Sequence, residues 1–370
     1  PDGNCQNHQK PPKKLEEHNY FFKLSKYKEK IQEWIEKNPE CVRPEGRKKE
    51  ILNQLSDPEL GDFSVTRARK SLTWGVPVPG DDEQVIYVWI DALSNYITGI
   101  GYNEDETKFK KFWPADIHLI GKDINKFHSI YWPSMLIALG IEPPKQVFAH
   151  GFITVNGQKL SKSLGNVIDP DALVTEYGAD AVRFYLLAAT PFDNDGDFST
   201  DDMVKQVNAQ LANNLGNLLN RTLTLVAKNC EGKIPDAEKD KTLIEQARVV
   251  QEEVDNHMLK LEFAKSIETI FGLVDQTNKF MNDQKPWSLF KEEKQKEGEK
   301  VLLTCMEIIR QTAVNIYPFT PRLAQDIWYQ LGFDTGVEKA GEESVLKAGV
   351  EIRNTGPVFQ RIETTEKTVV

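Results

Sequence analysis

Two lysines in a short segment that contains Gly and Ser could neutralise a polyphosphate. The segment GQKLSKSLGN places Lys159 and Lys162 three residues apart, with Ser161 and Ser163 beside them. Ammonium groups on such a loop would stabilise the charge that develops on departing pyrophosphate, and so favour the transition state over the ground state. A solvated lysine loop is the alternative, and the tetrapeptide KLSK alone does not exclude it.

A second candidate site follows the apolar run DIHLI (116–120), which predicts a strand. Gly121 and Asp123 come directly after this run, where open α/β sheets place their ligands. Gly121 would let a nucleotide approach the backbone, and Asp123 could accept hydrogen bonds from ribose hydroxyls. Without further context, the tripeptide GKD fits a plain strand-to-helix turn better.

Aromatic side chains of the sequence YVWIDALSNY, together with His128, could form an apolar pocket. We interpret VIYVWI (85–90) as a strand, whose alternation places Tyr87 and Trp89 on one face. Such a pocket suits a thioether, because a polarizable sulfur packs favourably against ring edges. An ordinary aromatic core is the alternative.

A fourth group of residues could bind RNA. Asn217 and Arg221 are four residues apart in a predicted helix, so they share a face and could contact the edges of splayed bases. Trp287, which Pro286 precedes, would offer a stacking platform worth about 1–3 kcal/mol per base if it is exposed. The alternative is that Trp287 packs between helices.

Two regions with different patterns of apolar residues must position these candidate residues. Short strand-like runs alternate with a helical segment from about 62 to 165, which predicts a parallel α/β sheet. After about Asp201, four long segments carry apolar residues at three- and four-residue spacing. This pattern predicts an antiparallel helix bundle.

Composition limits the function classes. The chain has 370 residues, a length that fits two or three domains. Its net charge of −10 argues against a purely electrostatic RNA binder. No apolar run approaches the roughly 18–20 residues that cross a bilayer, so no membrane association is expected.

The first residues carry no signal or transit pattern, and we interpret Pro1 as a truncation or processing point. The cysteines are scattered and predict no disulfide framework. Cys5 and His8 form a C-x-x-H pair, which is at most the remnant of a zinc knuckle because a structural zinc site needs four ligands. Zinc is therefore not expected.

The pentapeptide KLSKS resembles the KMSKS signature of class I aminoacyl-tRNA synthetases, with Leu160 in the Met position. The flanking sequence HGFITVNGQKLSKSLGNVIDP resembles the methionyl branch over some twenty residues. The resemblance then extends from NYFFKLSKY to VFQRIE, which is nearly the whole chain.

The resemblance to methionyl-tRNA synthetases implies an α/β region followed by an all-α region. These would be the second half of a Rossmann-type class I catalytic domain and an antiparallel α-helical anticodon-binding bundle. The implied domains are the end of a connective insertion (1–60), the catalytic half (61–165), a stem-contact linker (166–205), the bundle (206–350) and a tail (351–370). The family's HIGH motif is not found around any histidine, so we expect it upstream and expect this fragment alone to be inactive.

The resemblance also implies roles for individual residues. The catalytic residues would be Lys159 and Lys162, and the ATP-binding residues would be Gly121, Asp123, His150, Lys159, Ser161, Lys162 and Ser163. The methionine-binding residues would be Tyr87, Trp89, Ala92, Tyr96 and His128. The anticodon-binding residues would be Asn217, Arg221 and Trp287. Leu93 departs from the family, since some members carry Pro there, and a family arginine near the active site corresponds to Arg69 or Arg67.

The implied activity is methionine–tRNA ligation, with ATP and Mg²⁺, L-methionine and tRNA(Met) as partners and a monomer as the expected state. The branch looks mitochondrial, which predicts the mitochondrial matrix, with the cytoplasm as the alternative. A leucine, isoleucine or valine enzyme is disfavoured, because residues 60–165 leave no room for an editing insertion. A non-catalytic tRNA-binding or assembly protein derived from a synthetase is the other alternative.

Overall fold

The computed structural model describes residues 16–155, 157–160, 167–189, 191–341 and 344–363, with only the backbone at residue 159. Contacts within the chain divide it into two units, Pro1–His150 and Gly151–Val370. The first unit mixes strands with helices and the second is mostly helical. The predicted order of an α/β region followed by a helical region is confirmed.

The first unit is built from short strands and helices. Its strands are Phe21–Phe22 (β1), Val42–Arg43 (β2), Phe63–Ser64 (β3), Thr66–Ala68 (β4), Pro77–Val78 (β5), Asp81–Ile86 (β6), His118–Gly121 (β7) and Val147–His150 (β8). Its α-helices are Lys28–Lys37 (α1), Glu45–Ser56 (α2), Val88–Thr98 (α3), Glu106–Phe112 (α4) and Trp132–Ala138 (α5). A π-helical turn at Phe127–Tyr131 leads into α5, and 3-10 turns occupy Leu24–Lys26 and Lys122–Ile124.

A three-stranded parallel sheet in the order β2–β8–β7 organises this unit. Strands β7 and β8 end side by side, with Gly121 opposite His150. Helix α5 lies between them in the chain, as a parallel pair requires a long crossover. Ile120, Val147 and Ala149 are buried together in a small core on this sheet. The predicted parallel α/β sheet is therefore confirmed.

A second sheet of the first unit is antiparallel, in the order β4–β6–β5. Strand β6 ends at Ile86 and α3 begins at Val88, so the prediction of a strand over residues 85–90 was wrong beyond Ile86. The apolar residues that follow recur at helical spacing, and Leu93 and Ile97 are buried. Burial of that helical face outweighs the β propensity of the individual residues.

The second unit contains the remaining elements. Its helices are Pro170–Tyr177 (α6), Ala179–Ala188 (α7), Thr200–Val207 (α8), Asn217–Asn229 (α9), Lys241–Leu259 (α10), Phe263–Gln284 (α11), Pro286–Lys291 (α12), Gln295–Ile316 (α13) and Pro321–Gln330 (α14). Its strands are Ile153–Val155 (β9), Gln158–Lys159 (β10) and Gly196–Asp197 (β11), and Val337–Lys339 forms a 3-10 turn. No helix in the described part of the chain is long and apolar enough to cross a membrane.

The four long helical segments predicted after Asp201 are present. In the first of them a π-helical stretch, Asn208–Gly216, joins α8 to α9. A Cβ on Gly216 would lie 2.9 Å from the carbonyl oxygen of Leu211, so glycine permits this close approach. Helix α13 is the most buried helix of the second unit's core, where Leu302 and Ile309 are fully buried.

Helix α12 packs against α13 through a close contact at Gly298. This glycine is buried, and a Cβ there would lie 2.6 Å from Cζ of Phe290. Helix α12 also carries Trp287, one of the predicted RNA-binding residues. The contact between Phe290 and Gly298 therefore helps to fix the position of the indole.

We expect Gly298→Ala to lower the free energy of unfolding by about 1–3 kcal/mol, because the added methyl group collides with Phe290. Gly272→Ala is the matched control: Gly272 lies inside α11, and a Cβ there would have nothing within 4 Å. Alanine is the better helix former, so the control should gain up to about 1 kcal/mol. Urea unfolding followed by circular dichroism measures both, and effects of the same sign would contradict the packing role of Gly298.

Candidate functional site

Helix α3 presents Trp89, Ala92 and Tyr96 on one face, because their spacing of three and four residues returns to the same side of the helix. The Trp89 indole stacks on the Phe127 ring, with centroids 4.1 Å apart and 17° between the planes. Trp89 also meets His128 in an edge contact at 6.0 Å. The structure thus places Trp89, Ala92 and Tyr96 on one face of a helix rather than on a strand, and His128 contacts Trp89 and Tyr96.

The hydroxyl group of Tyr96 is held by His128, which is 1% exposed. Burial lowers the pKa of His128 and outweighs the opposing hydrogen bond to Ile124, so the imidazole is neutral near pH 7. Nδ1 donates to the carbonyl oxygen of Ile124 over 3.0 Å, since that oxygen can only accept. Nε2 therefore keeps its lone pair and accepts the Tyr96 hydroxyl proton over 2.9 Å.

A second buried imidazole, that of His118, packs against the Tyr96 ring at a centroid distance of 4.2 Å. Its Nε2 accepts a hydrogen bond from Nε1 of Trp132 over 3.3 Å. Burial, and then repulsion from His128, lowers the pKa of His118 to about 4. Two neutral histidines therefore support Tyr96, and neither brings a positive charge to the cluster at pH 7.

Tyr87 does not share a face with Trp89, so that part of the strand prediction was wrong. Tyr87 precedes α3, and the Arg67 guanidinium lies 3.9 Å from the centroid of its ring. Arg67 also donates to the carbonyl oxygen of Thr66 over 2.7 Å. Arg69 donates instead to the carbonyl oxygen of Asp82. Of the two arginines that the sequence left open, Arg67 is the one that contacts a predicted pocket residue.

The predicted nucleotide-binding residues of the first unit lie at the carboxyl edge of the parallel sheet. Gly121 ends β7, opposite His150 at the end of β8. Asp123 follows in the 3-10 turn Lys122–Ile124. This placement agrees with the sequence prediction, and it is the edge at which open α/β sheets bind their ligands.

The lysine loop begins in the small sheet of the second unit, where β9 pairs with both β10 and β11. Oδ1 of Asp197 accepts hydrogen bonds from the Gly157 amide over 2.9 Å and from the Thr154 hydroxyl over 2.6 Å. These bonds anchor the turn that leads into the loop. The remaining predicted phosphate-binding groups and the C-x-x-H pair fall outside the described residues: the Lys159 side chain, Ser161, Lys162, Ser163, Cys5 and His8.

Among the described residues, no cluster of three or more His, Cys, Asp or Glu side chains is arranged to hold a metal ion.

Asn217 and Arg221 line an open groove of about 500 Å³ beside the start of α9. Arg221 donates to Oδ1 of Asn282 over 2.7 Å, and its guanidinium lies 5.6 Å from the ring of Trp287. Trp287 is half-buried and packs on the bundle core, so it is neither fully exposed nor fully enclosed. Most other groove residues carry amides, which both donate and accept and so suit the edges of bases: Gln210, Asn213, Asn214, Asn278 and Asn282.

Sequence reasoning assigned no role to His118, Trp132, Asn278 or Asn282. His118 stands in the same heptapeptide as Gly121, and a histidine inside an apolar strand was a usable signal because a buried imidazole needs a partner. The contact between Arg221 and Asn282 joins residues far apart in the chain, so no local sequence pattern predicts it.

Two family profiles match the chain. The profile described as tRNA synthetases class I (M) matches residues 1–223. The profile described as anticodon binding domain of methionyl tRNA ligase matches residues 231–369. Asn217 and Arg221 lie in the first match and Trp287 in the second.

Known proteins resemble the chain over nearly its whole length. The methionine–tRNA ligase of Clostridium perfringens (strain 13 / Type A) is 45% identical over 99% of this chain and 58% of that protein. That of Halalkalibacterium halodurans is 42% identical over 96% of this chain and 55% of that protein. The chain therefore spans little more than half the length of these relatives.

Solved structures of methionyl-tRNA synthetases are also similar to this chain. Mycobacterium tuberculosis methionyl-tRNA synthetase in complex with methionyl-adenylate superposes with a TM-score of 0.90 at 38% identity, over 97% of this chain and 72% of that one. The apo form of the same protein gives a TM-score of 0.89 at 35% identity, over 98% and 72%.

The lowered pKa of His118 predicts a pH-dependent stability. The folded imidazole titrates at about 4 and the unfolded one near 6.5, so between these values the unfolded chain binds more protons. Stability is therefore lost as the pH falls through this window, by about 3 kcal/mol at pH 4 for His118 alone. His118→Gln keeps an acceptor for the Trp132 N–H but cannot titrate, so its unfolding free energy should fall less. Urea titrations at about pH 7 and about pH 4.5 compare the two proteins, and parallel pH slopes would refute the assignment.

Proposed function

The chain belongs to the class I tRNA synthetase family of the methionyl type, and we propose that it is part of a methionine–tRNA ligase. Such an enzyme activates L-methionine with ATP to methionyl-adenylate and transfers the methionyl group to tRNA(Met). The observation that carries this proposal is the cluster in which Trp89 stacks on Phe127 and Tyr96 donates to the neutral His128. The solved relative with methionyl-adenylate bound supports it.

We assign the methionine side chain to the pocket of Trp89, Ala92, Tyr96 and His128, with Tyr87 beside it. Aromatic faces and edges give a polarizable sulfur favourable contacts. The Tyr96 proton is already donated to His128, so the hydroxyl oxygen offers the pocket lone pairs rather than a free donor. The pocket therefore disfavours side chains that need to accept a strong hydrogen bond, because such groups would lose their bonds to water.

For ATP, we assign ribose binding to Gly121 and Asp123 at the carboxyl edge of the sheet, with His150 beside them. Lys159, Ser161, Lys162 and Ser163 are assigned to the phosphates by the resemblance of KLSKS to the family signature. Mg²⁺ would arrive with ATP as part of the substrate. The methionine carboxylate attacks the α-phosphate and pyrophosphate leaves. Positioning and charge neutralisation, rather than a protein nucleophile, account for the acceleration.

For tRNA(Met), we assign the anticodon to the groove of Asn217 and Arg221 with Trp287 at its side. The contacts of Arg221 with the Asn282 oxygen and the Trp287 ring set the direction of its guanidinium. A guanidinium held in this way offers further N–H groups to a base edge, and an indole offers a stacking surface.

The HIGH motif is expected upstream of this chain, and the protein is expected to be a monomer with its anticodon-binding bundle at 206–350. We propose a mitochondrial-type enzyme of the matrix, on the resemblance of the stretch TRARKSLTWGVPVPGDDEQVIYVWIDALSNYITGIGY, with the cytoplasm as the alternative.

Arg221→Ala should weaken binding of a tRNA(Met) anticodon stem-loop by about tenfold or more, since a lost base contact costs about 1–3 kcal/mol. Arg248→Ala is the matched control. It removes the same charge from α10, where Arg248 pairs with Glu245 and Glu252 on the exposed surface. The control should change Kd by less than about twofold. Fluorescence anisotropy at one fixed salt concentration gives both values, and equal losses would mean that Arg221 acts only as a non-specific charge.

Lys162→Ala, made in the protein extended through its upstream reading frame, should reduce methionine-dependent ATP–pyrophosphate exchange by about 100-fold or more. Removal of one preorganised donor typically costs about 3–4 kcal/mol. Lys205→Ala, on the exposed side of α8, removes the same charge and should leave exchange unchanged. The 370-residue chain alone should show negligible exchange. An extended protein that binds the stem-loop but catalyses no exchange would favour the non-catalytic alternative.

A further inference from the structure

Residues 350–363 form a strap that lies along the helices of the second unit. At its start, the Ile234 amide donates to the carbonyl oxygen of Val350 over 2.9 Å. Further along, Phe359 and Ile362 are half-buried and pack against the core of the helix bundle. The strap is therefore part of the packed body of the second unit.

A reciprocal pair of hydrogen bonds joins the strap to Asn208. Nδ2 of Asn208 donates to the carbonyl oxygen of Ile362 over 2.9 Å, and Oδ1 accepts from the Ile362 amide over 2.8 Å. Asn208 is 8% exposed, so its amide group depends on protein partners rather than on water. The side chain thus exchanges both bonds with the strap backbone, as a neighbouring strand would.

Asn208 is also the first residue of the π-helical stretch Asn208–Gly216. Four residues of this stretch line the groove beside α9: Ala209, Gln210, Asn213 and Asn214. π-Helical segments are rare, and conversion to a regular α-helix would turn these residues around the helix axis by on the order of 100°. The contact that fixes the start of the stretch therefore determines which groups face the groove.

The amides of the groove depend on this direction because they are bonded to one another. Nδ2 of Asn214 donates to Oε1 of Gln210 over 3.0 Å and to Oδ1 of Asp275 over 2.7 Å. Oδ1 of Asn214 accepts from Asn278 over 2.9 Å. Rotation of the stretch would break the bonds from Asn214 to α11 and change the pattern of donors and acceptors that the groove presents.

We propose that Asn208 is a positioning residue for RNA binding. By holding the backbone of Ile362 it fixes the start of the π-helical stretch, and the stretch then presents its amides to the groove in one direction. This inference rests on the proposed assignment of the groove to the anticodon of tRNA(Met). It adds to that groove a buried residue that acts through its neighbours.

An anchor that only stabilises the fold is the alternative, and Gln330 supplies the matched control. Its Nε2 donates to the Thr355 hydroxyl and to the carbonyl oxygen of Gly356, both over 2.9 Å, so it holds the same strap with the same chemical group. Gln330 is 3% exposed and lies in α14, outside the π-helical stretch. Loss of either amide should loosen the strap, but only loss of Asn208 should disturb the groove.

The test compares Asn208→Ala with Gln330→Ala in the 370-residue chain. We expect Asn208→Ala to weaken binding of a tRNA(Met) anticodon stem-loop by about fivefold or more, the effect of a lost base contact. Gln330→Ala should change Kd by less than about twofold, as for a site that shares no partner with the groove. Fluorescence anisotropy at several salt concentrations gives Kd, and both variants should keep the salt dependence of the wild type because no phosphate contact is lost.

A stem-loop with a changed anticodon separates positioning from stability. Asn208→Ala should bind this RNA as the wild type does, so its preference for the cognate loop should shrink, whereas a merely destabilised protein would keep the preference. The Ile362 amide and the amides of the π-helical stretch should exchange hydrogen faster in Asn208→Ala than in the wild type. Ile362→Pro removes the donor to Asn208 from the strap side and should reproduce the loss of preference, even if Asn208→Ala does not fold.

Equal losses of affinity in Asn208→Ala and Gln330→Ala would overturn the proposal. An unchanged preference for the cognate loop, despite fast exchange at Ile362, would overturn it as well. A wild-type chain that binds no stem-loop would instead count against the proposed function, and hydrogen exchange of the π-helical stretch would still decide whether Asn208 fixes it.

Discussion

The burial of two imidazoles around one tyrosine is the constraint on which the first unit depends. A charged imidazole with no acidic partner is costly away from water, so His118 and His128 are neutral. Neutrality then fixes their protons: Trp132 donates to His118, Tyr96 donates to His128, and His128 donates to Ile124. Helix α3, strand β7 and the π-helical turn before α5 are thereby joined in one arrangement. These hydrogen bonds therefore help to fix the positions of the stacked Trp89 and Phe127 rings and of the end of β7.

The second unit holds its candidate binding residues in a different way. Arg221 contacts an amide oxygen and an aromatic face, and neither of these neutralises its charge. The groove around it is lined mainly by amides, some of which satisfy each other, as in the hydrogen bond from Asn278 to Asn214. Such a surface loses few hydrogen bonds when its amides bond to the edges of bases instead of to each other, because an amide can both donate and accept. The proposed binding of single-stranded RNA would therefore depend on base edges more than on a strongly basic surface, which is compatible with the chain's net charge of −10.

The sequence predicted those features that depend on local pattern. The parallel sheet, the carboxyl-edge position of Gly121 and the long helices of the second unit all follow from periodicity and from turn residues. The run VIYVWI was misassigned because six β-prone residues carry a strand signal, whereas the helix that begins at Val88 is decided by burial of Leu93 and Ile97 further along the chain. The partners of His118 and Arg221 were out of reach, since Trp132 and Asn282 come near only through tertiary packing. The resemblance to a family supplied roles for Lys159 and Lys162 that their spacing alone left open.

An apolar groove of about 290 Å³ beside β7 shares Tyr96 with the aromatic cluster of α3. Tyr96 and His118 line the groove, and the Tyr96 hydroxyl donates to His128. A side chain that fills the groove would exclude water from the half-exposed Tyr96. The local dielectric would fall, so the hydrogen bond to His128 would strengthen. The pKa of His128 would fall further, because burial already dominates its shift. Occupancy of the groove and the polarity around His128 are therefore coupled through the single hydrogen bond of Tyr96.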